Sequence, residues 1–280
     1  MRNTSITFRR TRVGSATIAY QEAGDGPPVV LIHGLSGSSR WWARNIGPLA
    51  ERFHVYVIDL IGFGDSRGGQ RFMLDKAADY LARWMDQLGI TRSSLVGHSM
   101  GGYIAAELAA DAPERVERVV LVDAAALPFE QSFGWHFASM LRELQHLPPD
   151  FFPTLLFDAL RAGPATLWDA ATALMRADLR PKLERIAAPT LVVWGERDAI
   201  VPLALGKQLT RLLPEREMLV IKNAGHNPMW DCPQAFNREV AAFLLGSEQG
   251  STPREVACEP MPAENDEVDS LAQIQTRFRA

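Results

Sequence analysis

Ser99 sits at the centre of Gly97-His98-Ser99-Met100-Gly101, entered by the apolar pair Leu95-Val96 and left by the helix-forming run Tyr103 to Ala110. A Gly-x-Ser-x-Gly pentapeptide between a strand and a helix is the pattern of a sharp turn that presents a serine hydroxyl as a nucleophile. The glycines matter sterically, because a turn this tight leaves no room for side chains two residues either side of the serine. A hydroxyl alone is a poor nucleophile, so the reading requires a base, an acid to orient the base, and donors for a developing oxyanion.

Each of these has a candidate. His226 follows the apolar strand-like segment Val220-Ile221 in a loop preceded by Gly225, and it is the candidate base. Asp198 follows Pro189-Thr190-Leu191-Val192-Val193-Trp194-Gly195 and is the candidate acid. The backbone N–H of Met100 opens the helix after Ser99, where unpaired amides favour negative charge, and is one oxyanion donor. The N–H of Leu35, after Val29-Val30-Leu31-Ile32-His33-Gly34, is the other, with Gly34 allowing the chain to turn toward a substrate.

The elements that must position these groups alternate along the chain. Residues 6–13 and 16–20 read as a hairpin about Gly14-Ser15. Strands follow at 29–33, 55–59, 94–98, 119–123 and from Pro189 and Val220, with helices near Trp41 to Glu51 and Leu74 to Leu88. Such alternation predicts an α/β fold with a doubly wound, mostly parallel sheet, and ligand sites at the carboxyl ends of its strands. Every candidate residue falls at such an end.

With these segments in order, the chain resembles the α/β-hydrolase superfamily over roughly residues 5 to 246. His33-Gly34, Gly97-x-Ser99-x-Gly101, Gly195-x-x-Asp198 and Gly225-His226 carry the resemblance, together with Asp59-x-x-Gly62-x-Gly64-x-Ser66. The resemblance implies a serine-nucleophile, esterase-like enzyme with a helical lid, and the triad order Ser99, Asp198, His226. It also raises a rival acid, Asp123, because some members take the acid from after the earlier strand. His33 and the Asp59 to Ser66 loop are expected to be architectural, and His98 to shape the site. A serine in the elbow counts against the dehalogenase and epoxide hydrolase branches, which use a carboxylate there.

Between the strand ending at Asp123 and Pro189 the alternation lapses for some sixty residues, too long for a structureless loop. This region reads as a helical lid (127–186) inserted in a core made of 1–126 and 187–246. Its aromatic and apolar residues include Phe129, Phe133, Trp135, Phe137, Met140, Phe151, Phe152, Phe157, Trp168 and Met175, in runs broken by Pro148-Pro149, Pro153 and Gly163-Pro164. Most are expected to be the lid's own packing, with Trp135, Phe137 and Phe133 as candidate substrate contacts. Few charges interrupt the lid before Arg142, which favours a hydrophobic small-molecule substrate.

The composition, 47% hydrophobic and 22% charged, is that of an ordinary globular chain. The formal net charge is −4, and residues 247–280 hold seven acidic residues against three arginines. The remainder is therefore near neutral, with no basic field for nucleic acid. That acidic segment has a disordered composition, although Val268, Leu271, Ile274 and Phe278 have helical spacing. Two cysteines, Cys232 and Cys258, argue against a disulfide scaffold and suit a reducing cytoplasm. No membrane span, metal or cofactor is expected, and no feature fixes an oligomeric state.

The expected chemistry is hydrolysis of a small or medium apolar ester or lactone through an acyl-enzyme on Ser99. Carbon–carbon bond hydrolysis and acyl transfer or thioester hydrolysis use the same triad, although the carbon–carbon enzymes usually carry Asn at the position of His98. A ligand receptor that keeps the triad but turns over slowly is the alternative of another class.

Overall fold

The computed structural model describes residues 5–68, 70–128, 139, 142–143, 147–247 and 253–259. A nine-stranded sheet runs through it in the order β1-β2-β4-β3-β5-β6-β7-β8-β9. The hairpin strands β1 (Thr7–Val13) and β2 (Ala16–Ala23) are antiparallel, turning at Gly14 with φ 62°, and β2 is antiparallel to β4 (His54–Ile58). The strands β3 (Pro28–Ile32), β5 (Ser93–His98), β6 (Val116–Val122), β7 (Thr190–Gly195) and β8 (Arg216–Ile221) are parallel to one another and to β4.

Alternation along each strand explains why both faces are covered. Val30 and Ile32 enter one core, with Leu95, Val119, Leu121 and Trp194, while Val29 and Leu31 enter the other, with Val55, Val57, Val120 and Val193. A strand buried on both sides needs helices on both sides. The first core is closed by α2 (Leu74–Gln87) and α3 (Met100–Asp111), and by α6 (Leu203–Leu212) through Leu209. The second is closed by α1 (Ile46–Ala50), by the short α7 (Pro228–Asp231) through Met229 and Trp230, and by α8 (Pro233–Leu244) through Phe236, Val240 and Phe243. This is the α/β fold the alternation predicts.

Between β6 and β7 the chain leaves the sheet and forms α4 (Phe152–Arg176) and the short α5 (Arg180–Leu183). Gly163, at φ 77° and ψ 158°, breaks α4 into two arms just before Pro164. Buried polar contacts tie this insertion to the body. Asp158 accepts hydrogen bonds from the Ser38 hydroxyl at 2.7 Å and the Arg40 guanidinium at 2.8 Å, and Arg161 pairs with Asp65. Phe129, Phe133, Trp135, Phe137 and Met140 lie outside the described residues.

Two expectations are corrected. Part of the acidic segment forms a strand: β9 (Arg254–Val256) pairs in parallel with β8 at the sheet edge, and Arg254 binds Glu239 at 2.9 Å. Open edge amides and carbonyls of β8 reward any extended segment that pairs with them, whatever its composition. The second correction follows from the first. Cys258, two residues past β9, is disulfide-bonded to Cys232, with Cα atoms 5.2 Å apart. The cysteines therefore give no argument for a reducing compartment. Residues 260–280, including the helical spacing from Val268 to Phe278, lie outside the described residues. Among those described, no helix is long and apolar enough to cross a membrane.

Candidate active site

The turn around Ser99 has the strain its sequence implies. Ser99 takes φ 51° and ψ −113° between β5 and α3, a backbone region that L side chains rarely occupy. Four backbone bonds hold it there. Its N–H donates to the Val122 carbonyl at 2.9 Å, and its carbonyl accepts from Gly102, Tyr103 and Ala125 at 3.0, 3.2 and 3.1 Å. A Cβ on Gly97 would collide with the Gly101 carbonyl, and one on Gly101 with the Ile32 carbonyl, so the pentapeptide spacing is a packing requirement. Met100 is the first residue of α3, where a backbone N–H has no partner within the helix.

Gly34 brings the loop after β3 against this turn. A side chain there would stand 2.7 Å from His98 Nδ1 and 3.1 Å from Ser99 Cβ. His33 fixes the loop from behind, donating from Nδ1 to the Gly34 carbonyl at 2.8 Å and accepting at Nε2 from the Leu60 N–H at 3.0 Å. Asp59 serves the same wall, accepting from the Ser39 and Asp65 amides at 2.6 and 2.7 Å. Both side chains spend these atoms on the loops beside the site.

At the ends of β7 and β8, Asp198 and His226 meet. Asp198 Oδ1 accepts the N–H groups of Ile200 and Val201, both at 2.8 Å, which leaves Oδ2 for the imidazole Nδ1 at 2.8 Å. Burial pulls the His226 pKa down, but the Asp198 carboxylate, with Glu143 and Asp231 behind it, outweighs burial and holds it above the ordinary imidazole value. With Nδ1 committed to Asp198, Nε2 is the nitrogen free to exchange a proton. Ser99, His226 and Leu35 all line one cavity of about 660 Å³. That volume suits a small organic molecule.

Residues 29–239 match the alpha/beta hydrolase family. The chain belongs to this family. It is 29% identical over 250 residues to a pimeloyl-[acyl-carrier protein] methyl ester esterase of Nitrosomonas europaea, covering 79% of this chain and 97% of the relative. It is 30% identical over 273 residues to a 2-hydroxy-6-oxo-6-phenylhexa-2,4-dienoate hydrolase of Burkholderia cepacia, covering 85% and 95%. Among solved structures, a bacterial membrane phospholipase A described as a virulence factor superposes with a TM-score of 0.75 at 30% identity, over 87% of each chain.

In this alpha/beta hydrolase, the rival acid Asp123 lies behind the pair rather than against the base. It is buried at φ 44°, its Oδ1 accepts the Gly195 N–H at 2.9 Å, and burial with the nearby Asp198 pushes its pKa well up. Asp123, Asp198 and His226 are the one described trio whose ligand atoms crowd within 4.8 Å. Asp198 and His226 spend the facing atoms on each other, and the buried Asp123 Oδ2 has no hydrogen-bond partner among the described residues.

His98 does more than shape the site. Burial, then the neighbouring His226, pushes its pKa well below the ordinary value, so it is neutral, and its Nε2 donates to the His226 carbonyl at 2.7 Å. The cavity's other wall is α4, through Leu155, Leu167, Leu174 and Met175. Trp168 both lines it and is 63% exposed. Of the lid aromatics singled out in the sequence, Phe151 is buried against Trp41 and Trp230, whereas Phe152 and Phe157 face solvent. The proposed contacts Trp135, Phe137 and Phe133 lie outside the described residues. Glu143 had no signal in the sequence, since what marks it is its place between two distant loops.

Proposed function

We propose that this protein hydrolyses neutral carboxylic esters or lactones with an apolar acyl part, through an acyl-enzyme on Ser99. The observation that carries the reading is a strained serine sharing an apolar cavity with a histidine already paired to a buried aspartate. His226 takes the Ser99 proton at Nε2 as the hydroxyl attacks the ester carbonyl. Asp198 holds the imidazole tautomer and stabilises the imidazolium, and the Leu35 and Met100 amides receive the oxyanion. The imidazolium then protonates the departing alcohol. Water, deprotonated by the same His226, attacks the acyl-enzyme and frees the acid and Ser99.

Residues 1–126 and 187–246 act as the core, and the insertion of 127–186 as its lid. Beneath that lid the substrate loses water, which strengthens every polar contact at the carbonyl. The relative of Burkholderia cepacia is named for a dienoate, which is an anion. Among the described lining residues there is one carboxylate, Glu143, and no Lys or Arg to receive an anion, which favours the ester over the dienoate. Turnover of p-nitrophenyl acetate, butyrate, octanoate and laurate tests the reading. One optimum of acyl length is expected, and a slow receptor would instead give one stoichiometric release of p-nitrophenol followed by stalling.

A further inference from the structure

Glu143 takes no part in the steps above, yet it is 6% exposed and touches both loops that do. Its Oε1 accepts the His226 N–H at 2.7 Å, and its Oε2 accepts the Ala199 N–H, next to Asp198, at 3.1 Å. These partners lie 83 and 56 residues away in sequence. Gly225 lacks a side chain where Glu143 arrives, since a Cβ there would stand 2.6 Å from Oε1. The same carboxylate lines the cavity. Resting on the ester-hydrolase reading, we propose that Glu143 is a positioning and selectivity residue: it clasps the loops carrying Asp198 and His226, and its charge on the cavity wall rejects esters whose acyl chain ends in an anion.

Hydrogen bonds from backbone N–H groups to a buried carboxylate are among the stronger ones in a protein. Here a single rigid group accepts two of them, and so sets the spacing of two loops. The 2.8 Å contact of His226 Nδ1 with Asp198 depends on that spacing, and small misplacements of catalytic groups are expensive in rate. The charge acts separately. His226 is faced by Asp198, Asp231, Glu143 and the His98 ring, with Asp123 beyond Asp198 and within 4.8 Å, and Glu143 is one of the carboxylates that raise the imidazole pKa. Burial, with Glu143 adding to it, also pushes Asp231 up to about 7 against the pull of the Gly225 N–H. An anionic acyl end would meet Glu143 in a low-dielectric pocket with no described cation in its lining.

The test compares wild type, Glu143→Gln and Glu143→Ala as full chains, on p-nitrophenyl butyrate and p-nitrophenyl hydrogen succinate, from pH 5 to 9. Glu143→Gln keeps one acceptor and loses the charge. It should lower kcat on butyrate roughly tenfold or more, with KM little changed. The acidic limb of kcat/KM should move to lower pH, and the succinate-to-butyrate ratio of kcat/KM should rise roughly tenfold or more. A folded Glu143→Gln with the wild-type pH limb and the wild-type ratio overturns the proposal.

If the variants do not fold, inhibition of wild type by propylboronic acid and by 3-boronopropanoic acid decides the selectivity: weaker inhibition by the anionic acid supports it, and equal inhibition overturns it. If wild type turns over neither ester, the hydrolase reading is the one that fails. The His226 titration followed by NMR of ¹⁵N-histidine then still decides the clasp, supported by a downward shift in Glu143→Gln and overturned by none.

Discussion

The floor and the roof of the cavity rest on different physics. On the floor, Ser99, Asp198 and His226 stand at the ends of parallel strands, each held by directional hydrogen bonds: four backbone bonds at Ser99, two backbone amides at Asp198 Oδ1, and the side chains of Asp198, Glu143 and His98 at His226. On the roof, α4 offers Leu155, Leu167, Leu174 and Met175, whose contribution is area and shape. Apolar contact is non-directional and scales with the surface covered, so a roof of this kind tolerates change that the floor does not. Its polar attachments include Asp158 on Ser38 and Arg40, where burial pushes the carboxyl up to about 6 despite the adjacent guanidinium.

Single substitutions can break this contrast, the harshest being on the floor. Ser99→Ala should lower kcat by about a millionfold, read by steady-state turnover of p-nitrophenyl butyrate. Asp198→Asn, which removes the charge and disturbs the imidazole tautomer, should cost about 10⁴-fold in kcat, whereas Asp123→Asn, behind the pair, should cost far less. Equal losses in the two would move the acid's role to Asp123.

On the roof, Leu167→Ala should shift the acyl-length optimum toward longer chains, changing kcat/KM for any one ester by roughly ten- to hundredfold while leaving the melting temperature nearly unmoved. The pH profile sharpens the floor alone. His226 must be neutral to accept a proton, and its carboxylate neighbours raise its pKa, so activity should rise with pH through a midpoint above about 6.5. The smallest effect on rate is expected at the disulfide, which lines neither wall. Cys258→Ser should leave kcat within about twofold but lower stability by about 3 kcal/mol in urea unfolding, for a bridge closing a loop of 26 residues.

The same contrast explains what could be read from the sequence. The turn at Ser99 was legible because its cause is local: glycines at 97 and 101 where Cβ atoms would strike neighbouring carbonyls. The sheet was legible because strands such as Val29–Ile32 are apolar at every position, as burial on two faces requires. Glu143 was not, since its partners lie on two other loops and no spacing within its own segment encodes them. Strand β9 was masked by its composition, charged and short, and only the open edge of β8 gives it a reason to extend. The Cys232–Cys258 bond was hidden with it, because the pairing follows from where β9 leaves the chain.

The most direct measurement is intact-mass analysis after treatment with a fluorophosphonate, on wild type and Ser99→Ala in parallel. A single adduct on wild type, absent from the variant, is the result expected of a serine activated by His226 and open to the cavity. An adduct of equal yield on both proteins would place the reactive group elsewhere and contradict the assignment of Ser99.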